Sequence, residues 1–251
     1  MIPYKDENPA ELSPISTIAI IVVNTLAWLF VQGAGASEPL ARSVCQLGLI
    51  PAEVLGRAPA GTTVPLGQGL ECVLTAEPHF STILTSMFMH GGWLHIIGNM
   101  WFLWVFGNNI EDSMGHTRFV VFYLLCGVAA AATQMAVDPR SVVPMVGASG
   151  AISGVMGAYI LLYPRVKVHT LLTLGFFVTS VALPAYVILG YWFALQLLLG
   201  TVGSLSRMQG GTAFWAHVGG FVAGLVLIKL FANPDFLERR RAGPVILPRG
   251  A

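Results

Sequence analysis

Three stretches of this sequence carry side chains capable of chemistry. The first is His90-Gly-Gly-Trp-Leu-His95-Ile-Ile-Gly-Asn99. His95 and Asn99 share a face if the segment is helical. His90 sits about 140° further round an ideal helix and reads as a loop or helix-start residue beside Gly91–Gly92. The second is Gly147-Ala-Ser149-Gly150-Ala-Ile-Ser153-Gly154-Val-Met-Gly157-Ala158, and the third is Ala216-His217-Val-Gly-Gly220-Phe-Val-Ala-Gly224. A serine beside an imidazole is an activated nucleophile with its base. An asparagine and backbone N–H groups nearby could hold an oxyanion. Taken singly, each stretch reads more simply as packing residues that hydrogen-bond or let helices approach. The second is not the soluble hydrolase G-x-S-x-G turn, because Ala151 stands at its last position.

What must position these residues follows from composition. Of 251 residues, 55% are hydrophobic and only 10% charged, with mean hydropathy +0.73. Soluble domains carry about 25% charged residues. So few charges exclude a soluble enzyme, a disordered chain and a coiled coil. The net charge of +1 implies no polyanionic partner, and nucleic acid is not expected.

Apolar runs near bilayer length predict an all-α, polytopic membrane bundle of six spans: 15–31, 92–106, 119–137, 149–162, 184–200 and 213–231. Pro184 starts the fifth. The stretch Val166–Ala182 before it is expected to be interfacial near Arg165 and Lys167; a single long tilted helix is the alternative. Residues 1–14 form a short N-terminal segment, 15–231 the membrane domain with a long loop over 32–79, and 232–251 a solvated tail. Lys and Arg stay cytoplasmic. With both termini inside, the inner set is Lys5, Arg118, Arg165, Lys167, Lys229, Arg239, Arg240, Arg241 and Arg249. Only Arg42, Arg57, Arg140 and Arg207 fall outside. The run from Ile15 lacks a basic leader and a small-residue cleavage site, so it reads as a retained anchor, and nothing reads as an organelle transit peptide. The expected location is a bacterial cytoplasmic membrane. Cys45 and Cys72 lie in the outer loop, where either a disulfide or two unpaired residues fits; Cys126 lies within span 3.

Polar groups inside a span are costly and face the bundle interior. Spans 2, 4 and 6 run the same way, which puts His95, Asn99, Ser149 and His217 in the outer half of the bilayer. Gly150, Gly154 and Ala158 form one small-residue stripe; Ala216, Gly220 and Gly224 form another. Together they would draw spans 4 and 6 close and bring Ser149 to His217. All acids read as outside the spans, with Glu111 and Asp112 on the far side, so a dyad is the arrangement available.

At this point the chain resembles the rhomboid intramembrane serine proteases. The resemblance rests on His90-x4-His95-x3-Asn99, Gly147-Ala148-Ser149-Gly150 and Ala216-His217-x2-Gly220-x3-Gly224. It extends from about Ser86 to Leu230 and includes a Gly107…Glu111…Gly115 turn. It implies Ser149 as nucleophile and His217 as general base. Asn99, His95 and the Ser149 N–H would form the oxyanion hole. His90 would be a structural residue bonding the outer loop, with Gly147, Gly150, Gly220 and Gly224 shaping the site. It implies transmembrane protein substrates cut near their outer ends, contact with membrane lipids, and no metal or organic cofactor. Two features depart from the family. A tyrosine that many members place four residues after the nucleophile is Ser153 here, so the base must be held another way. The Trp–Arg pair common in the family's outer loop is not evident.

Substrate access is expected between spans 2 and 5, through Phe176, Phe177, Tyr191, Trp192 and Phe193. Other readings are an inactive relative that binds or escorts membrane segments, a transporter or channel, and a zinc site on His90, His95 and His217. The last is disfavoured because the two histidines of span 2 do not share a face.

Overall fold

The computed structural model describes residues 1–59, 61–67, 69–75, 77–174, 177–206 and 212–242. In chain order its helices are α1 Ile15–Leu26, α2 Ser37–Leu47, α3 Pro51–Val54, α4 Thr82–Thr85, α5 Trp93–Met114, α6 His116–Val137, α7 Ser149–Leu162, α8 Ala185–Ser206, α9 Phe214–Phe231 and α10 Pro234–Ala242. A π-helical turn, Ala27–Val31, continues α1. The strands are β1 Ile2–Asp6, β2 Thr63–Gly67, β3 Leu70–Val73, β4 Lys167–Leu174 and β5 Phe177–Pro184.

The six expected spans appear as α1 with its continuation, α5, α6, α7, α8 and α9. Of the described helices, His116–Val137, Ala185–Leu205 and Phe214–Phe231 are long and apolar enough to cross a membrane by length and composition; Ile15–Val31 and Ser149–Leu162 are apolar but shorter. Exposed apolar side chains such as Val22, Val23, Leu198, Val202, Val226 and Leu230 face outward. In water so large an apolar surface would drive association; in lipid it is the expected exterior.

The axis of the bundle is α7, buried from Gly150 to Tyr159 and enclosed by α5, α6, α8 and α9. Its closest neighbour is α9. A Cβ on Gly220 would collide with the Gly150 carbonyl, one on Gly224 with the Gly154 carbonyl, and one on Gly157 with the Phe221 carbonyl. Without side chains between them the two backbones touch, which is how small residues substitute for a hydrophobic driving force in lipid.

Four expectations need correction. The second span does not end at Phe106: α5 runs two further turns, and Gly107 and Glu111 are helical. The break is at Gly115, whose φ of 83° is open to glycine. Glu111 and Asp112 are therefore on α5 and buried. They remain at the end of α5 remote from His95, where they cap α1. Glu111 accepts the Ser16 and Thr17 N–H groups at 2.8 Å and the Thr17 hydroxyl at 2.7 Å, and Asp112 accepts the Leu12 N–H at 2.8 Å. The first N–H groups of a helix have no internal partner, and a carboxylate there meets the positive end of the helix dipole.

The stretch 166–182 is not part of a long tilted helix. It forms the hairpin β4–β5, joined by β1 into an antiparallel sheet of order β1-β4-β5, with Lys5 opposite His169 and Asp6 opposite Val168. Val168 and Thr170 are buried while Lys167 is exposed and His169 half-buried, the alternation of a one-sided strand. This three-stranded sheet and the separate β2–β3 hairpin are the strand elements beside the helices among the described residues. The access group also disperses. Phe177 lies on β5, far from the site; Trp192 and Phe193 pack inward on Phe221; Tyr191 is exposed; Phe176 lies outside the described residues. The tail begins as a docked helix: the Asn233 N–H donates to the Ser113 carbonyl at 2.9 Å, and Phe236 covers Gly115. Residues 243–251, with Arg249, lie outside the described residues, as does Arg207.

The α7–α9 contact yields a paired expectation. Gly224→Ala should destabilise the bundle by about 1–3 kcal/mol, because the obstructing atoms are backbone. Gly190→Ala on α8, which meets nothing within 4 Å, should be neutral or stabilising by up to about 1 kcal/mol. Thermal unfolding in detergent compares the two.

Candidate active site

Ser149 is the first residue of α7 and His217 the fourth of α9. The glycine contact brings their ends together: Ser149 Oγ lies 2.7 Å from His217 Nε2. His217 Nδ1 lies 2.8 Å from Gln196 Oε1 on α8. An amide oxygen only accepts, so Nδ1 carries the proton and the Nε2 lone pair is free to accept from the serine hydroxyl. The amide orientation follows from its other end, where Gln196 Nε2 donates to the Trp192 carbonyl at 3.4 Å. The Trp192 ring lies 5.8 Å from the His217 ring, tilted by 36°.

His95 approaches from α5. Its Nδ1 accepts the Gly91 N–H at 3.2 Å, which leaves the proton on Nε2. That nitrogen lies against Gly147: a Cβ there would be 2.8 Å from it and 3.4 Å from Ser149 Oγ. Gly147 has φ 131°, so both backbone and space require glycine. Its N–H is held by the Ser86 carbonyl at 2.9 Å. The start of α7 has no side-chain cap, so its first N–H groups face the same place. Asn99, one turn along α5, is buried, and its amide nitrogen has no hydrogen-bond partner. An orphaned buried donor costs about 1–3 kcal/mol, and a native structure keeps such a group for a reason.

His95, Gly147, Ser149, Gly150 and His217 line one cavity of about 960 Å³, whose wall also holds Gln134, Asp138, Arg140 and Ser141. Asn99 and His90 are not part of that lining. His90 is buried behind His95, the two rings edge to face at 5.3 Å. They do meet, contrary to the expectation from helix geometry, because Gly91 and Gly92 fold His90 back before the helix starts. Among the described residues no three His, Cys, Asp or Glu side chains converge as a metal site. His90 does tie down the outer loop, but through its backbone: its N–H donates to Gln32 Oε1 and its carbonyl accepts from Gln32 Nε2, both at 2.8 Å. Gly220 lies against Gly150, and Gly224 sits one turn further from the chemistry.

The loop that ends in Ser149 is braced from the 32–79 region. Leu49 and Met145 exchange backbone hydrogen bonds at 2.9 and 2.7 Å, and the Ala52 N–H donates to the Ser141 carbonyl at 2.9 Å. Cys45 of α2 and Cys72 of β3 are joined in a disulfide, with Cα atoms 5.4 Å apart. Cys126 is free and buried. Sequence reasoning passed over Gln196, Gln32 and the Leu49–Met145 bridge, and put Trp192 in the access route rather than against His217. Gln196 carried a readable signal, being a polar side chain in an apolar span. The bridge carried none, because backbone pairing leaves no mark in residue type.

The Rhomboid domain model matches residues 77–234, more than half of the chain. The chain is 31% identical over 159 residues to Rhomboid-like protein 11, chloroplastic, of Arabidopsis thaliana, a match covering 62% of this chain and 54% of that protein. It is 29% identical over 156 residues to the Rhomboid protease GluP of Bacillus subtilis, covering 61% of this chain and 27% of GluP. It is 28% identical over 149 residues to Rhomboid protein 1, mitochondrial, of Saccharomyces cerevisiae, covering 58% and 40%. The matched part thus spans between about a quarter and a half of these relatives.

Because the disulfide closes a segment of sequence separation 27, replacing both Cys45 and Cys72 by Ser should cost about 3–4 kcal/mol on the loop-entropy argument. Thermal unfolding in detergent, with and without reductant, measures it. Mass spectrometry of unreduced peptides should find the two cysteines linked.

Proposed function

The chain belongs to the rhomboid family, and on that footing we propose that it is an intramembrane serine endopeptidase that cuts transmembrane protein substrates with a Ser149–His217 dyad. The observation that carries this reading is the 2.7 Å contact between Ser149 Oγ and His217 Nε2 in a cavity of about 960 Å³. A hydroxyl within hydrogen-bond reach of its base is what a serine nucleophile requires.

In the proposed reaction a locally unwound substrate segment presents a carbonyl to Ser149, since a helical segment hides its carbonyls in internal hydrogen bonds. As Oγ attacks the carbonyl carbon, its proton passes to His217 Nε2. The tetrahedral oxygen takes the negative charge and is met by the Ser149 N–H, His95 Nε2–H and Asn99 Nδ2–H groups. Preorganised donors of this kind are worth most where water is scarce. The intermediate collapses as His217 gives its proton to the leaving amine, and the first product departs. Water then attacks the acyl ester, with His217 again taking the proton, and Ser149 is restored. No cofactor or metal is required. Polar wall residues Gln134, Asp138, Arg140 and Ser141 supply a wet approach for the second step.

The protein is a membrane protein, and we place it in a bacterial cytoplasmic membrane with both termini inside. The Lys and Arg asymmetry supports that orientation. So does the disulfide, which belongs in an oxidising space on the other face.

The test uses protein purified in detergent, a fluorogenic transmembrane substrate and a fluorophosphonate probe. Wild type should cut and be labelled, both should vanish in Ser149→Ala, and a chelator should change neither. A Ser149→Ala protein that still cuts removes Ser149 from the mechanism; a wild type that binds segments without cutting or labelling favours the escort reading. Asn99→Ala should lower kcat about 10²-fold or more, the typical loss of one oxyanion donor, with KM little changed.

A further inference from the structure

We propose that Gln196 is the positioning residue of the base: its amide oxygen fixes His217 in the one tautomer and ring orientation that lets Nε2 take the serine proton, standing where soluble serine hydrolases use a carboxylate. This deepens the protease reading and rests on it.

The need for such a residue follows from the dyad itself. An imidazole has two unlike nitrogens, and which one carries the proton is set by the hydrogen bond the other makes. With one contact alone, to Ser149 Oγ, the ring could turn about its Cβ–Cγ bond or present a protonated Nε2 that cannot accept. In the serine triad template the third residue removes that freedom, and an altered tautomer there is damaging although the geometry is kept. Here an amide takes that place: among the described residues His217 Nδ1 is bonded to Gln196 and to no acid. Glu111 and Asp112 are engaged with the start of α1, at the far end of α5.

Gln196 meets the requirement from a third helix. It lies on α8 and is 8% exposed. Its Oε1 is 2.8 Å from His217 Nδ1, and its Nε2 donates back to the Trp192 carbonyl one turn earlier at 3.4 Å. That second bond decides the orientation of the amide, since a carbonyl can only accept. Trp192, from the same turn of α8, covers the imidazole at 5.8 Å between ring centroids and packs in turn on Phe221 at 6.2 Å, one turn along α9 from His217. The ring is held on one edge by the amide and on one face by the indole. At residue 153 the small Ser153 turns its hydroxyl to the Ser149 carbonyl at 2.6 Å, so it offers the base neither a ring nor a bond.

A neutral acceptor suits the setting. A carboxylate here would be a charge buried in a span while the base is neutral, which costs folding stability but still leaves an acceptor for Nδ1–H. The amide carries no charge at rest. Its bond to Nδ1–H strengthens when the serine proton arrives and the imidazole becomes cationic. The gain comes with the charge, in the step that matters, rather than in the resting enzyme.

Two variants and two readouts test this. Gln196→Met keeps length and apolar character but removes the acceptor; Gln196→Glu keeps an acceptor at the same reach. Rates on a transmembrane substrate should show kcat of Gln196→Met down about tenfold to a hundredfold, with KM within about twofold. Gln196→Glu should recover to within about fivefold of wild type. The second readout needs no substrate: the 15N spectrum of histidine-labelled protein should show His217 of wild type as a single Nδ1–H tautomer, and that signature should be lost in Gln196→Met and kept in Gln196→Glu. A wild-type spectrum with the proton on Nε2 overturns the proposal without any variant. So does a Gln196→Met protein with unchanged kcat and tautomer, or a Gln196→Glu protein as impaired as Gln196→Met. If wild type neither cuts nor labels, the protease reading falls, and the tautomer measurement still decides whether Gln196 orients His217.

Discussion

The close approach of α7 and α9 is the constraint on which the rest depends. Lipid offers no hydrophobic gain for packing one apolar helix against another, so contact must come from surface matching between backbones. Gly150, Gly154, Gly157, Gly220 and Gly224 remove the side chains that would hold the helices apart. The consequence is geometric. Ser149 opens one helix and His217 lies in the first turn of the other, so backbones in contact leave only a short side chain and a ring between the two chemical groups. A hydroxyl–imidazole contact of 2.7 Å follows from helices that could not be much closer.

That logic explains why the site was largely legible from residue types. Histidine, asparagine and serine in an apolar span stand out because they are expensive there, and glycine at four-residue spacing has few other uses on a buried helix. What escaped has a physical reason in each case. The strand character of β4–β5 escaped because only the alternation at Val168 and Thr170 marks it, over too few residues to outweigh an apolar composition. The last turns of α5 were lost because Glu111 and Asp112 read as loop. Acids that bond helix N–H groups are satisfied where acids in lipid are not. The Cys45–Cys72 pairing could not be separated from two free thiols, since spacing says nothing about Cα separation. Loop bracing through Leu49 and Met145 is invisible because any residue can make it.

The distribution of charge and polarity has a common rationale. The buried carboxylates of α5, Glu111 and Asp112, sit at the end of the bundle away from Ser149 and are engaged by backbone N–H groups of the N-terminal segment, whereas buried Glu53 in the 32–79 region accepts the Thr75 N–H at 2.9 Å. The groups engaged with Ser149 and His217 are neutral: Gln196 bonds the imidazole and Trp192 covers it, with Gln134 accepting the Ala216 N–H at 3.2 Å to finish the start of α9, while charged Asp138 and Arg140 stand in the cavity wall. A neutral network can be assembled in a low-dielectric setting without ionic desolvation, which costs several kcal/mol per ion in real proteins. Its hydrogen bonds then become strongest when the reaction itself introduces charge.

Ser149, the proposed nucleophile, stands at the start of its helix. At the first turn of α7 the backbone N–H groups have no carbonyls to bond, and the helix dipole favours negative charge there. The same serine placed mid-helix would find those donors already used. The position also lies beside the loop Ser141–Gly147, which the 32–79 region clamps at Leu49 and Ala52. A helix start is therefore both the electrostatically favourable place for a developing oxyanion and the place where a polar cavity can reach without opening the apolar wall of the bundle. Burying Ser149 deeper would forfeit both at once.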